Sequence, residues 1–203
     1  QEPKTVGASN WINQAWLFRP QQVHPSLANK VQEPLISEWF KAGDIQVFSQ
    51  ALSNLFNFDA SSLKDVDYVL IIPHPNNQLK MKGYASRIQG VVSELVTQNK
   101  RIAIKYHPRQ QGDDVLGLAK VESVSLIPTN LAFEFILPLL PMGAKVVGDV
   151  GTSLLTTKWL RDDLHPIAVL NPQDTFQERF VTLFKQNDIK VIDSYAMLLN
   201  QSD

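Results

Sequence analysis

The 203-residue chain contains no cysteine. That absence excludes a disulfide framework, a thiolate zinc site, an iron-sulfur cluster and a cysteine nucleophile together. It also lacks an excess of either charge: 19 Lys and Arg stand against 20 Asp and Glu, for a net charge of -1. Without an electropositive field, nucleic acid is not an expected partner. No apolar run approaches the roughly 20 residues of a membrane-spanning helix, and the opening QEPKTVGASNW has no charged-then-apolar signal layout. The expectation is a soluble, cytoplasmic protein. No segment repeats at a fixed period and no low-complexity tract occurs, which argues against solenoids and propellers. GxGxxG and GxxxxGK[ST] are absent, which argues against a nicotinamide-type fold and a P-loop. The chain begins at Gln1 rather than Met, which leaves room for a missing upstream region.

What is present is an ordinary globular composition, 44% hydrophobic and 19% charged. A chain of this length buries about 70% of its unfolded surface without staples. A seam runs near residue 62. Residues 1–62 hold three of the four Trp, scattered Pro and Asn, helical patches around 27–42 and 49–57, and the polar turn Asp59 to Ser62. This stretch is read as an irregular lead-in segment.

Over residues 63–203, short apolar runs alternate with amphipathic segments, the pattern of βαβ units with a parallel sheet. Strands are expected at 68–72, 101–105, 123–127, 145–148, 166–170 and 189–192. Residues Ile88, Val91, Val92, Leu95 and Val96 form one stripe of a helix over 84–98. Phe176, Phe180, Leu183 and Phe184 do the same over 175–187. Leu131 to Leu137 reads as a buried helix stopped by Pro138. The fold class is α/β, a Rossmann-like parallel sheet flanked by helices.

In such a sheet ligands bind beyond the carboxyl ends of the strands, where helix N-termini also point. All four histidines precede a proline, so context must separate them. His107 and Arg109 leave one strand end together, and both can donate to a phosphate, the titratable imidazole also serving as an acid. The alternative is a solvated strand-end histidine; His24 and His165, with no strand end before them, are assigned to structure. Thr152 and Ser153 lie between a strand and a helix, as phosphate ligands or simply as helix caps. Glu134, the only ionisable residue from Leu131 to Met142, either accepts two vicinal ribose hydroxyls or favours a helix N-terminus.

The ordered segments KYHPR (Lys105 to Arg109), IPTNLAFE (Ile127 to Glu134) and KVVGDVGTSLL (Lys145 to Leu155) resemble the nucleotide-binding half of bacterial GT-B sialyltransferases of the lipooligosaccharide, polysialic-acid and marine types. The match spans roughly residues 66–170. The resemblance implies the donor-binding half of a GT-B fold, inverting transfer from CMP-N-acetylneuraminate to a glycan hydroxyl in surface polysaccharide synthesis, and no metal or other cofactor in the chemistry. By that likeness His107 contacts the CMP phosphate as the acid, beside Arg109. Glu134 takes the ribose, Thr152 and Ser153 bind the phosphate, and the backbone at Tyr106 and Pro108 faces cytosine. Partners would be the CMP-sugar donor and a glycan acceptor, with peripheral attachment at the inner face of the cytoplasmic membrane through a missing region as a further option. A CMP-Kdo transferase and a non-catalytic nucleotide-binding module are the alternatives.

Two departures follow. The family's acidic motif, carrying the base, should fall near 76–80, where this chain reads Asn76-Asn77-Gln78-Leu79-Lys80 without a carboxylate. Asp113 and Asp114 are expected to be solvated loop charges. One Rossmann pattern is also half of a GT-B enzyme, with the acceptor domain missing. The expectation is a chain that binds a cytidine nucleotide and transfers no sugar.

Overall fold

The computed structural model describes residues 5–17, 20–33, 38, 40 and 43–199. The chain divides into two compact units, Gln1–Trp39 and Phe40–Asp203. In the first, β1 (Ala15–Trp16) pairs in parallel with β2 (Val31–Gln32). A 3-10 helix over Pro25–Lys30 precedes β2, and Leu27 is buried. Lys30 Nζ donates to the carbonyls of Ala8 and Ser9. The helical patch expected over 27–42 falls partly on this 3-10 turn and partly outside the described residues.

The second unit opens with α1 (Gly43–Leu55). α1 belongs to this second unit: its Phe48 ring meets Phe135 edge-on at 5.4 Å. Then come β3 (Tyr68–Ile71), α2 (Pro75–Lys80), α3 (Tyr84–Thr97), β4 (Ile102–Lys105) and β5 (Val124–Ile127). The chain continues through β6 (Lys145–Gly148), α4 (Thr152–Leu160), β7 (His165–Val169), α5 (Thr175–Gln186), β8 (Lys190–Ile192) and α6 (Ala196–Leu199). All six expected strands form, each within one residue of its predicted ends.

Six strands make one all-parallel sheet in the order β5-β4-β3-β6-β7-β8. The chain starts in the middle, winds outward through β4 and β5, returns to β6 beside β3, and winds outward the other way. Strand direction never reverses, so every βα turn opens at the same edge, and the change of winding between β3 and β6 leaves a crevice there. Gly148 at the end of β6 permits this approach, since a Cβ on it would lie 3.3 Å from Ile71 Cβ.

Both faces of the sheet are covered. Tyr68, Leu70 and Ile72 join Ile88, Val92 and Leu95 of α3 in one core, while the alternate residues Val69, Ala103 and Val146 are equally buried on the opposite side. The stripe predicted for 84–98 is thus the packed face of α3.

Two helical expectations fail. Leu131 to Leu137 does not form one helix but parts of two 3-10 turns, Phe133–Phe135 and Leu137–Leu139. Pro138 supplies no N–H and crowds the preceding turn, so the tighter geometry ends early. The stripe on α5 is only partly inside: Phe184 is buried, but Phe176 and Leu183 are exposed, and Gln177 takes an interior place. Gln177 pays for that place by hydrogen bonds to the Asn171 N–H and the Asp174 carboxylate. No helix among the described residues is long and apolar enough to cross a membrane.

Candidate functional site

A cavity of about 410 Å³ opens at the β3/β6 crevice. Its wall is built from the ends of β3, β4 and β6, from residues 131–134 and from the start of α4. It carries Tyr106, His107, Pro108, Glu134, Thr152 and Ser153. Arg109 is not on the wall. Its side chain is exposed, and it serves the site through its backbone N–H, which donates to His107 Nδ1 at 3.0 Å.

That hydrogen bond recurs. Asn76 N–H donates to His74 Nδ1 at 3.1 Å and Ser26 N–H to His24 Nδ1 at 3.3 Å. In each His-Pro pair the proline has no N–H, so the first free donor lies two residues beyond the histidine, where the imidazole can reach it. An Nδ1 that accepts must be unprotonated, so the ring proton of both cavity histidines sits on Nε2. The rings of His74 and His107 stand edge-to-face, 4.8 Å apart. Burial lowers the pKa of His107, and its electrostatic interactions with His74, Arg109 and Lys105 lower it further. His107 is therefore a neutral Nε2–H donor near neutral pH.

Lys105, the last residue of β4, is almost fully buried, and its ammonium donates to the carbonyls of Tyr106 and Thr129. Burial brings its pKa down to about 8, against the opposing pull of Glu134. Glu134 itself is exposed on the rim rather than buried in the apolar stretch. The start of α4 has an unusual chemistry. Its N-cap is Gly151, which offers no side chain, so Thr152 and Ser153 are the first two helical residues and not caps. The N-terminal amides of α4 consequently receive no side-chain oxygen, whereas α5 is capped by Asp174 and α2 by His74. An anion at this end would meet unfilled N–H donors and two hydroxyls.

Tyr106 is on the wall but buried, and its hydroxyl donates to Asp114 at 2.9 Å. The Asp114 carboxylate also accepts from Leu118 N–H and Ala119 N–H, both at 2.8 Å. Asp114 is thus not a solvated charge but the fastener of the loop after β4; Asp113 is exposed. Gln78 ties that loop to the turn after β3, donating to Pro73 O at 2.8 Å and Gln110 Oε1 at 2.9 Å. The amide segment Asn76 to Lys80 is built as α2, with Asn77 on the cavity wall.

Three ionisable wall residues were not singled out by sequence: His74, Lys105 and Asp149. A sequence signal existed for each. His74 repeats the strand-His-Pro context of His107, Lys105 opens the KYHPR segment, and Asp149 directly follows the apolar strand KVVG. Asp149 is 7% exposed, and burial raises its pKa to about 7. Among the described residues no three potential metal ligands cluster. No protein-family model matches the chain, and no curated protein matches it.

Proposed function

We propose that this chain is the donor-binding half of a sialyltransferase-like glycosyltransferase. It would hold CMP-N-acetylneuraminate for inverting transfer to a glycan hydroxyl. The observation that carries the reading is the meeting of three ordered motifs in one cavity: KYHPR brings His107, the 127–134 segment brings Glu134, and GDVGTSLL brings the uncapped start of α4. In this reading the phosphate lies against Thr152, Ser153 and the α4 amides, with the His107 Nε2–H and the Lys105 ammonium alongside. Glu134 accepts the ribose hydroxyls at the rim. The backbone at Tyr106 and Pro108 faces cytosine.

The local hydrogen bonding refines one role. A doubly protonated His107 would have to give up the Arg109 N–H bond, so His107 steadies the departing phosphate as a neutral donor rather than handing it a full proton. A phosphate monoester with a second pKa near 6 leaves as an anion without that proton. Kdo in place of N-acetylneuraminate would ask nothing different of the nucleotide pocket. The non-catalytic alternative draws support from α2, whose Asn76 to Lys80 carry no carboxylate.

Calorimetry with CMP, UMP, AMP and UDP tests the reading. CMP alone should bind, and Ser153→Ala should weaken it about 10- to 150-fold, the loss of one hydrogen bond to a charged group. Binding of no nucleotide, or of all four equally, overturns it.

A further inference from the structure

A second cavity, of about 210 Å³, adjoins the first, and two residues belong to both walls: Asn77 and Asp149. Its remaining wall is Lys80, Met81, Asp174, Phe176 and Gln177. Asp149 therefore stands at the doorway between the nucleotide cavity and a separate space.

The other groups able to accept a proton here are committed or misplaced. Asp174 receives the Phe176 and Gln177 N–H groups and the Gln177 amide. Asp114 is saturated in its loop. His74 and His107 each spend the Nδ1 lone pair on a backbone N–H, which leaves Nε2 protonated and unable to accept. Glu134 is exposed at the rim. Asp149, by contrast, is buried with only its own backbone N–H as a donor, and it takes part in no ion pair among the described residues.

We propose that Asp149 is the base of this site, taking the proton of a hydroxyl that enters from the second cavity. The inference rests on the nucleotide-sugar reading above. The incoming oxygen bonds to the anomeric carbon of the sugar while the bond from that carbon to the phosphate oxygen breaks. The electron pair of the broken bond departs on CMP, and the hydroxyl proton passes to an Asp149 carboxylate oxygen. Asp149 thereby supplies the carboxylate that Asn76 to Lys80 lack.

The surroundings suit the role. Tyr84, at the start of α3, and Tyr195, just before α6, both lie within electrostatic reach of Asp149. Burial holds both phenols protonated well beyond neutral pH, so neither competes as a base. Arg87 of α3 lies within electrostatic reach of Tyr195. From the β4 side, Lys105 and His107 share the first cavity, and from α2 and α5, Lys80 and Asp174 share the second. With a pKa brought up to about 7 by burial, Asp149 is half ionised near neutrality, the condition in which a base both takes and returns protons.

Water, the smallest hydroxyl, makes the test independent of any acceptor domain. CMP affinity is measured first, for the wild-type chain and for Asp149→Asn. Breakdown of CMP-N-acetylneuraminate to CMP and free sugar is then followed from about pH 5.5 to 9. The expected result is hydrolysis faster than in buffer, rising about tenfold per unit below pH 7 and level above. Asp149→Asn should fall about 10²- to 10⁴-fold and lose the pH dependence, with CMP still bound. If the variant keeps the rate and its rise, or if wild-type protein binds CMP without accelerating hydrolysis, Asp149 is not the base. Failure to bind CMP instead overturns the nucleotide reading, and this inference with it.

Discussion

The loop after β4 and the turn after β6 leave the same edge of one sheet, and each carries an aspartate, of which Asp149 lines the cavity. The two are handled in opposite ways. Asp114 collects the Tyr106 hydroxyl and the Leu118 and Ala119 N–H groups. Burial pushes its pKa up, but these hydrogen bonds more than offset that and hold it below the ordinary value of 3.8. Asp149 has no such company, and burial drives it up to about 7. A carboxylate that the fold has saturated contributes to the fold; one that is buried and left unsaturated costs stability. Such a cost is retained where a ligand or a reaction repays it.

The largest expected effect comes from removing that cost. Asp149 has a folded pKa raised above its unfolded value of 3.8, so the unfolded chain binds fewer protons between pH 4 and 7. Its contribution is fully present below pH 4 and lost as pH rises through 7. Asp149→Asn should therefore be more stable than wild type at pH 8, by about 2 to 4 kcal/mol, and the gain should vanish near pH 4. Urea unfolding at the two pH values measures it. Equal stabilities at pH 8 would mean that the carboxylate is not buried in an unfavourable setting, and the contrast with Asp114 would collapse.

Lys105 gives the complementary slope. Its folded pKa of about 8 lies below the ordinary 10.5. Between those values the unfolded chain holds more protons, so stability should rise with pH, by about 1 to 3 kcal/mol. A phosphate in the cavity would favour the ammonium and flatten that rise, so saturating CMP should reduce the slope from pH 8 to 10.5. A slope untouched by bound CMP would place the phosphate elsewhere.

Breaking the saturated side should cost about 2 to 3 kcal/mol. Asp114→Ala removes the acceptor of the Tyr106 hydroxyl and of two backbone N–H groups. Because the folded pKa of Asp114 is depressed, its contribution is present above pH 4 and is lost as pH falls below. Wild type and Asp114→Ala should thus converge in acid, the reverse of the pattern at Asp149. A variant as stable as wild type at pH 7 would return Asp114 to a solvated charge.

How much of this was legible in the sequence depended on the range of the interactions involved. The six strands and α3 were read correctly because their apolar period is local and agrees with their packing. Leu131 to Leu137 misled because uniform apolarity marks burial but not the kind of turn, which Pro138 decided. Phe176 and Leu183 misled because the periodicity of α5 does not reveal how much of that face the sheet covers. At the site, Tyr106, His107, Pro108, Glu134, Thr152 and Ser153 reached one wall, and of the site residues named from the motifs Arg109 did not. Asp149 and Asp114 could not be ranked from sequence. Both are loop acids after apolar strands, and only the hydrogen-bond partners of each separate them.

The smallest effect concerns two turns built alike. His24 and His107 each accept the N–H two residues ahead across a proline, but His24 lies in the first unit, and only His107 lines the cavity. Asparagine is well suited to accept the same N–H through its side-chain oxygen. His24→Asn and His107→Asn should therefore each change stability by less than about 0.5 kcal/mol. Their effect on CMP should differ, because asparagine at 107 is too short to present a donor where Nε2–H stood. His107→Asn should weaken CMP by roughly tenfold or more, the worth of one hydrogen bond to a phosphate, while His24→Asn leaves it unchanged. If both variants bind CMP like wild type, the hydrogen bond to Arg109 is the whole purpose of His107, and the two turns are equivalent. If only His107→Asn loses affinity, the difference lies in the Nε2–H that the turn aims into the cavity.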